Sequence, residues 1–247
     1  MSKYFSDIFL GFPRYLFVLL GFFIPISVAI TNIIIAAISF FWLLEGDFQR
    51  KIKHIKTSKW MLSIFGLIGL YLLGMFWGEN HVNASWQFQK LALLFVFPLL
   101  VTLQIDQKTK KYAVAAFLVS TFISSVLAIL IDNQIIYPLA EYIVFLKYDW
   151  STAAFISYNH HNVLLAFSSM ICLYLIFEKK TKYRNLLILF FIIYSISIFT
   201  ERGRAGQMLF NFFVISYIIY YAKKYSYKVF LLIIPFLLFQ VIIYKTT

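Results

Sequence analysis

One cysteine, five prolines, nine glycines and ten acidic residues in a chain of 247 exclude several classes of protein at once. The lone Cys172 cannot close a disulfide within the chain, and its place inside an apolar run marks a small core residue. Proline and glycine never cluster with serine, so there is no linker or low-complexity tract, and no internal repeat divides the sequence. Charged residues make up only 13%, too few to cover a water-soluble globule. A Walker loop, a GxSxG elbow and a Rossmann glycine fingerprint are also missing, which leaves soluble-type nucleotide or hydrolase chemistry without support.

What is present is apolar. Hydrophobic residues account for 62% of the chain and the mean hydropathy is +0.83. Long apolar runs recur from end to end, the pattern of spanning helices and not of the alternating strands of an outer-membrane barrel. The expected fold is all-α, a polytopic transmembrane helical bundle forming a single domain over 1–247. Charged breaks delimit about nine spans, near 10–26, 28–45, 60–78, 91–105, 112–131, 162–177, 185–200, 206–222 and 228–244. The run "YLFVLLGFFIPISVAITNIIIAAISFFWLL" has no internal charge and is too long for one straight span; Pro25 and the Thr31–Asn32 pair are the candidate break points. The N-terminus lacks a basic, apolar and cleavage-site succession, so the first helix is expected to remain as an anchor.

The net charge of +12 would suit nucleic acid, but the basic residues flank the spans, and no nucleic-acid partner is expected. With the N-terminus cytoplasmic, 17 of the 22 basic residues fall inside, in segments such as "RKIKHIKTSK", "DQKTKKY", "EKKTKYRN" and "AKKYSYK". Lys90, Lys147, Arg202, Arg204 and Lys245 remain outside. The arginines of "TERGRAGQ" thus break the positive-inside trend. One explanation is a short charged turn in which Glu201 neutralises an arginine. The other is a site: Gly203 onward enters an apolar helix whose N-terminal N–H groups and positive dipole end favour an anion. Gly203 and Gly206 would let a ligand approach the backbone, Arg204 would fork onto phosphate oxygens, and Arg202 would add a second contact.

Two further outer segments carry polar residues. The long loop at 132–161 leads into Asp149, Tyr158, Asn159, His160, His161 and Asn162, where the histidines are candidate proton carriers or ordinary interfacial residues. Adjacent histidines without carboxylate support do not form a zinc site, so no metal and no cofactor is expected. "GENHVNASWQFQK" contributes Glu79, His81, Trp86 and Lys90, the last either facing a lipid phosphate or snorkelling to the interface.

Taken together, "FFIPISVAITNIIIAAISFFWLLEG", "FWGENHVNASWQFQKLALLFVFPLL" and "FTERGRAGQ" resemble, in this order along essentially the whole chain, the O-antigen ligase and O-antigen polymerase family of bacterial envelope enzymes. The first stretch looks like the family's proline-bearing N-terminal helix pair. The second is similar to its Trp-Ser-x-Asp loop and lysine-containing helix, and the third to its Arg-Gly signature. The resemblance implies a multi-pass protein of the bacterial inner membrane. It also implies an inverting, metal-independent glycosyl transfer from an undecaprenyl-diphosphate-linked glycan at the periplasmic face. Lipid A core or another lipid-linked glycan would be the acceptor, with membrane lipids around the site. Arg204 is the counterpart of the diphosphate-binding arginine, with Arg202 one register away. Family members carry a large periplasmic loop with an acceptor-activating histidine, and this sequence ends at "VIIYKTT" where that loop would begin. A C-terminally shortened relative is therefore expected, without that loop and the later spans. His160 and His161 do not match the loop histidine. The alternative from another class is a polytopic transporter or a non-catalytic component of a polysaccharide export complex. Transporters carry ionisable or Gly/Pro-interrupted helices at mid-membrane, whereas these charges lie at helix ends.

Overall fold

The first long apolar run breaks at its proline. In the computed structural model, which describes residues 3–75, 77, 88, 91, 93–136, 153–178, 182–200 and 203–224, α1 (Lys3–Phe23) and α2 (Val28–Glu45) are separated by a turn around Pro25. Proline lacks the N–H that would continue the ladder. Ser27 then opens α2 by accepting a hydrogen bond from the Ile30 N–H at 3.3 Å. The Thr31–Asn32 pair lies inside α2 and breaks nothing.

The chain turns again through Gly46 and Asp47, which take φ of 65° and 49°. It continues as α3 (Phe48–Thr57) and α4 (Lys59–Met75), which meet at 89° about the extended Ser58. A short 3-10 turn (Leu93–Phe95) leads into α5 (Val96–Thr102), followed by α6 (Gln107–Asp132), α7 (Tyr158–Glu178), α8 (Arg184–Thr200) and α9 (Arg204–Lys224). No strand occurs among the described residues.

Each of the first eight expected spans contains a helix, and the ninth, at 228–244, lies outside the described residues. Among the described residues four helices, α2, α6, most of α7 and α9, are long and apolar enough to cross a membrane, or five spans if α3 and α4 together make a bent one. Gly11–Phe23, Leu93–Thr102 and Arg184–Thr200 are apolar but shorter. The chain is a multi-pass helical membrane protein. Among the described residues, the expected fourth span holds the short apolar helix Leu93–Thr102. The "RKIKHIKTSK" segment, expected as a charged loop, is mostly α3, because Phe48, Ile52 and Ile55 recur at helical spacing.

The described residues fall into two compact units. In the first (Met1–Phe17 and Asn32–Lys110), side chains at the end of α2 organise the packing. Lys51, 1% exposed, donates to the Trp42 carbonyl at 2.6 Å and pairs with Glu45 at 2.9 Å. Arg50 pairs with Glu45 and Asp47 and donates to the Thr102 carbonyl. The Trp42 indole donates to Thr102 Oγ1 at 2.8 Å, which ties α2 to α5. Asp106 caps α6 by accepting from the Thr109 N–H and hydroxyl, and it pairs with Arg14 at 3.3 Å.

In the second unit (Val18–Thr31 and Lys111–Thr247), α7 is central: α8 and α9 both pack along it, and Phe210 of α9 lies against Phe191 and Phe199 of α8. Its core combines Leu165, Ala166 and Cys172 with Leu187, Phe190, Tyr194, Ile198, Phe210 and Val214. The α6 helix joins α8 where Tyr194 donates to the Leu118 carbonyl at 2.6 Å and Phe122 stacks on Phe190. Buried hydroxyls on α6 and α8 turn back onto their own helices: Thr121 bonds Phe117 O, Ser125 bonds Thr121 O and Ser195 bonds Phe191 O. Such local bonds satisfy a hydroxyl that would be costly in an apolar interior.

Candidate functional site

The residues along α7 and α9 meet in matching order. Asn162 touches Gly203 and Gly206, the Phe167 ring packs on Phe213, the Tyr217 hydroxyl reaches the Leu173 carbonyl, and Phe177 packs on Tyr221. Numbers that rise together along both helices mean that they run parallel. Their N-termini therefore lie side by side at one end of the second unit, and the positive ends of two helix dipoles coincide.

Small residues make this approach possible. A Cβ at Gly206 would collide with the Asn162 backbone and Cβ, and one at Gly203 with the Asn162 side chain. Asn162 is fully buried, and its Nδ2 donates to the Gly203 carbonyl at 3.3 Å, fixing the turn from which α9 starts. Behind the turn, Gln207 Nε2 donates to the Ile198 carbonyl at the end of α8. The need for glycine at 203 and 206 is thus met by helix packing, where small residues let backbones approach. The Gly-x-x-Gly spacing carried that signal in the sequence, but nothing in it identified Asn162 as the neighbour.

Arg204 is the first residue of α9 and is exposed. A cation at a helix N-terminus sits against the dipole, opposite to the placement that stabilises a helix. No acidic side chain among the described residues pairs with it; Glu201 and Arg202 lie outside the described residues. The histidines separate. His160 is exposed in the first turn of α7, with Nδ1 2.7 Å from Ser157 Oγ, the donor being set by the ring tautomer. His161 is wholly buried. Tyr158 and Asn159 share the first turn with His160, so Arg204, His160 and the first backbone N–H groups of two helices lie at the same end of the second unit, although His160 is about 200° round α7 from the Asn162 face that meets α9. Lys90, with Glu79, His81, Trp86 and Asp149, lies outside the described residues.

Such an end can hold an anion. Unpaired N–H groups, two positive dipole ends and a guanidinium favour the same charge, and a guanidinium forks onto phosphate oxygens. No group of three or more His, Cys, Asp or Glu that could hold a metal occurs among the described residues. Comparison of the chain with family models, with curated proteins and with solved structures gives no match.

Proposed function

We propose that this protein is a membrane glycosyltransferase of the O-antigen ligase or polymerase type, in which Arg204 holds the diphosphate of an undecaprenyl-linked glycan. The observation that carries the reading is the pairing of the α7 and α9 N-termini, locked by Asn162, with Arg204 exposed on the first turn. In the nine-span arrangement with a cytoplasmic N-terminus, α7 and α9 both start on the periplasmic side of the inner membrane. Their parallel course fits that arrangement, as does the pair Lys223 and Lys224 at the opposite end of α9.

The donor diphosphate would sit across the two N-termini, with Arg204 on its oxygens and Arg202 as the alternative contact. An acceptor hydroxyl, from a lipid A core or another lipid-linked glycan, forms its bond to the sugar carbon from the opposite face as the bond to the lipid diphosphate breaks, which inverts that carbon. The negative charge that develops on the leaving group is what two dipole ends and a guanidinium stabilise. His160, exposed on the first turn of α7 at the same end of the unit, is the described side chain suited to move a proton there.

The test is binding of an undecaprenyl-diphosphate glycan to the purified chain in lipid nanodiscs, wild type against Arg204→Ala. Binding that falls at least about tenfold in the variant, the worth of one charge-assisted contact, supports the site. Equal binding in both proteins removes Arg204 from any donor site and favours the transporter or export-component reading.

A further inference from the structure

The basic residues of α3 divide into two sets. Arg50 and Lys51 are engaged at the end of α2, by Glu45, Asp47 and the Trp42 and Thr102 carbonyls. Lys53, His54 and Lys56 are exposed, as is Lys59 at the start of α4, and among the described residues none of them has an acidic partner. The helix contains no Asp or Glu. If its charge served only to hold α3 on α2, the second set would have no purpose.

The apolar residues have a direction of their own. At about 100° per residue, Phe48, Ile52 and Ile55 fall within an arc of about 60°. Phe48 and Ile52 are about half exposed, so this arc is only partly covered by the protein. Lys56 flanks it and Lys53 lies further round. The next helix, α4, is apolar and leaves at 89°, with Leu62, Leu67, Leu70 and Leu73 exposed along its length. Where α4 runs across the membrane, a helix perpendicular to it lies in the membrane plane. Trp60, 84% exposed, stands at the corner between them, where an indole suits the headgroup layer. The Lys51 clasp fixes the rotation of α3, so its apolar arc is held in one orientation and does not roll.

We propose that α3 is an in-plane interfacial helix that binds an anionic phospholipid surface, with Phe48, Ile52 and Ile55 dipping below the headgroups and Lys53, Lys56 and Lys59 on the phosphates. The occupant is lipid because unpaired charge and an exposed apolar arc share one short helix, with an exposed tryptophan at its junction with an apolar helix. This inference is independent of the glycosyltransferase reading.

The test uses the full chain purified with equal amounts of phosphatidylglycerol and phosphatidylcholine, with the retained lipids counted by native mass spectrometry. Each lysine near an anionic surface carries roughly a fivefold preference. The combined Lys53→Gln, Lys56→Gln and Lys59→Gln variant should therefore lose at least about tenfold of the preference for phosphatidylglycerol. A spin label at Ile52→Cys, with Cys172→Ala, should be reached by dissolved oxygen and shielded from a water-soluble nickel chelate. An unchanged preference in the α3 variant overturns the proposal. So does a label at position 52 open to the chelate, which would leave the face to water or to an acidic protein partner.

Discussion

Glycine does opposite things in the two units. In α4, Gly66 and Gly69 face open space, while in the second unit a Cβ at Gly21, Gly203 or Gly206 would enter a neighbouring helix. Burial separates single helices more than whole units: 11% of the most apolar window of α2 is buried against 44% of that of α7, while that of α9, on the edge of the second unit, is 17% buried. The α2 helix keeps most of its surface for lipid and is fastened at one end by charge. The α7 helix is buried by close contact with its neighbours and brings the polar residues of the candidate site with it. Hydropathy alone does not distinguish the two, since both are apolar helices.

The sharpest way to break this comparison is to add one methyl group. Gly206→Ala forces the methyl into the Asn162 backbone and should cost about 3 kcal/mol, measured by thermal unfolding in detergent. Gly69→Ala in α4 should be neutral or stabilising by up to about 1 kcal/mol through helix propensity. Gly203→Ala meets mainly the Asn162 side chain. Pairing it with Asn162→Ala should recover part of its loss, whereas the same partner should not rescue Gly206→Ala. Equal losses at positions 69 and 206 would erase the distinction between the units.

In the first unit the comparable effect should come from charge. Lys51→Ala leaves Glu45 and the Trp42 carbonyl without their buried partner, and should cost about 2 kcal/mol, discounted because Glu45 is partly exposed. A smaller loss, about 1 kcal/mol, is expected in the second unit for Tyr194→Phe, which removes the bond to the Leu118 carbonyl. The smallest effect concerns Asp106. Hydrogen bonds from Thr109, with Arg14 assisting against partial desolvation, hold its carboxyl below the usual 3.8. A lowered carboxyl stabilises the fold above the unfolded value, and that contribution is lost as pH falls through the folded one. Thr109→Ala should move the carboxyl titration back up towards 3.8, read by carbon NMR.

Much of the helical framework was legible. Apolar runs located the helices, and Pro25 marked the break because a missing N–H is a local matter. Charge density hides α3 in the sequence, because its apolar residues are few: Phe48, Ile52 and Ile55, at spacings of four and three. At the candidate site, Arg204 and the helix start at Gly203 could be read from the sequence. The partnership of Asn162 with both glycines could not, because spacing fixes which residues share a face but not which helix that face meets. His160 and His161 show the same limit: adjacent in sequence, they lie about 100° apart on a helix, and only His160 is exposed.

In the proposed site the paired α7 and α9 N-termini and Arg204 act together on a diphosphate. The most direct measurement is the affinity of wild type, Arg204→Lys and Arg204→Ala in nanodiscs for undecaprenyl diphosphate against undecaprenyl monophosphate. The account predicts a wild-type preference for the diphosphate, partly kept by lysine as a point charge and lost with alanine while unfolding temperature is unchanged. Identical affinities for both lipids in all three proteins would contradict it.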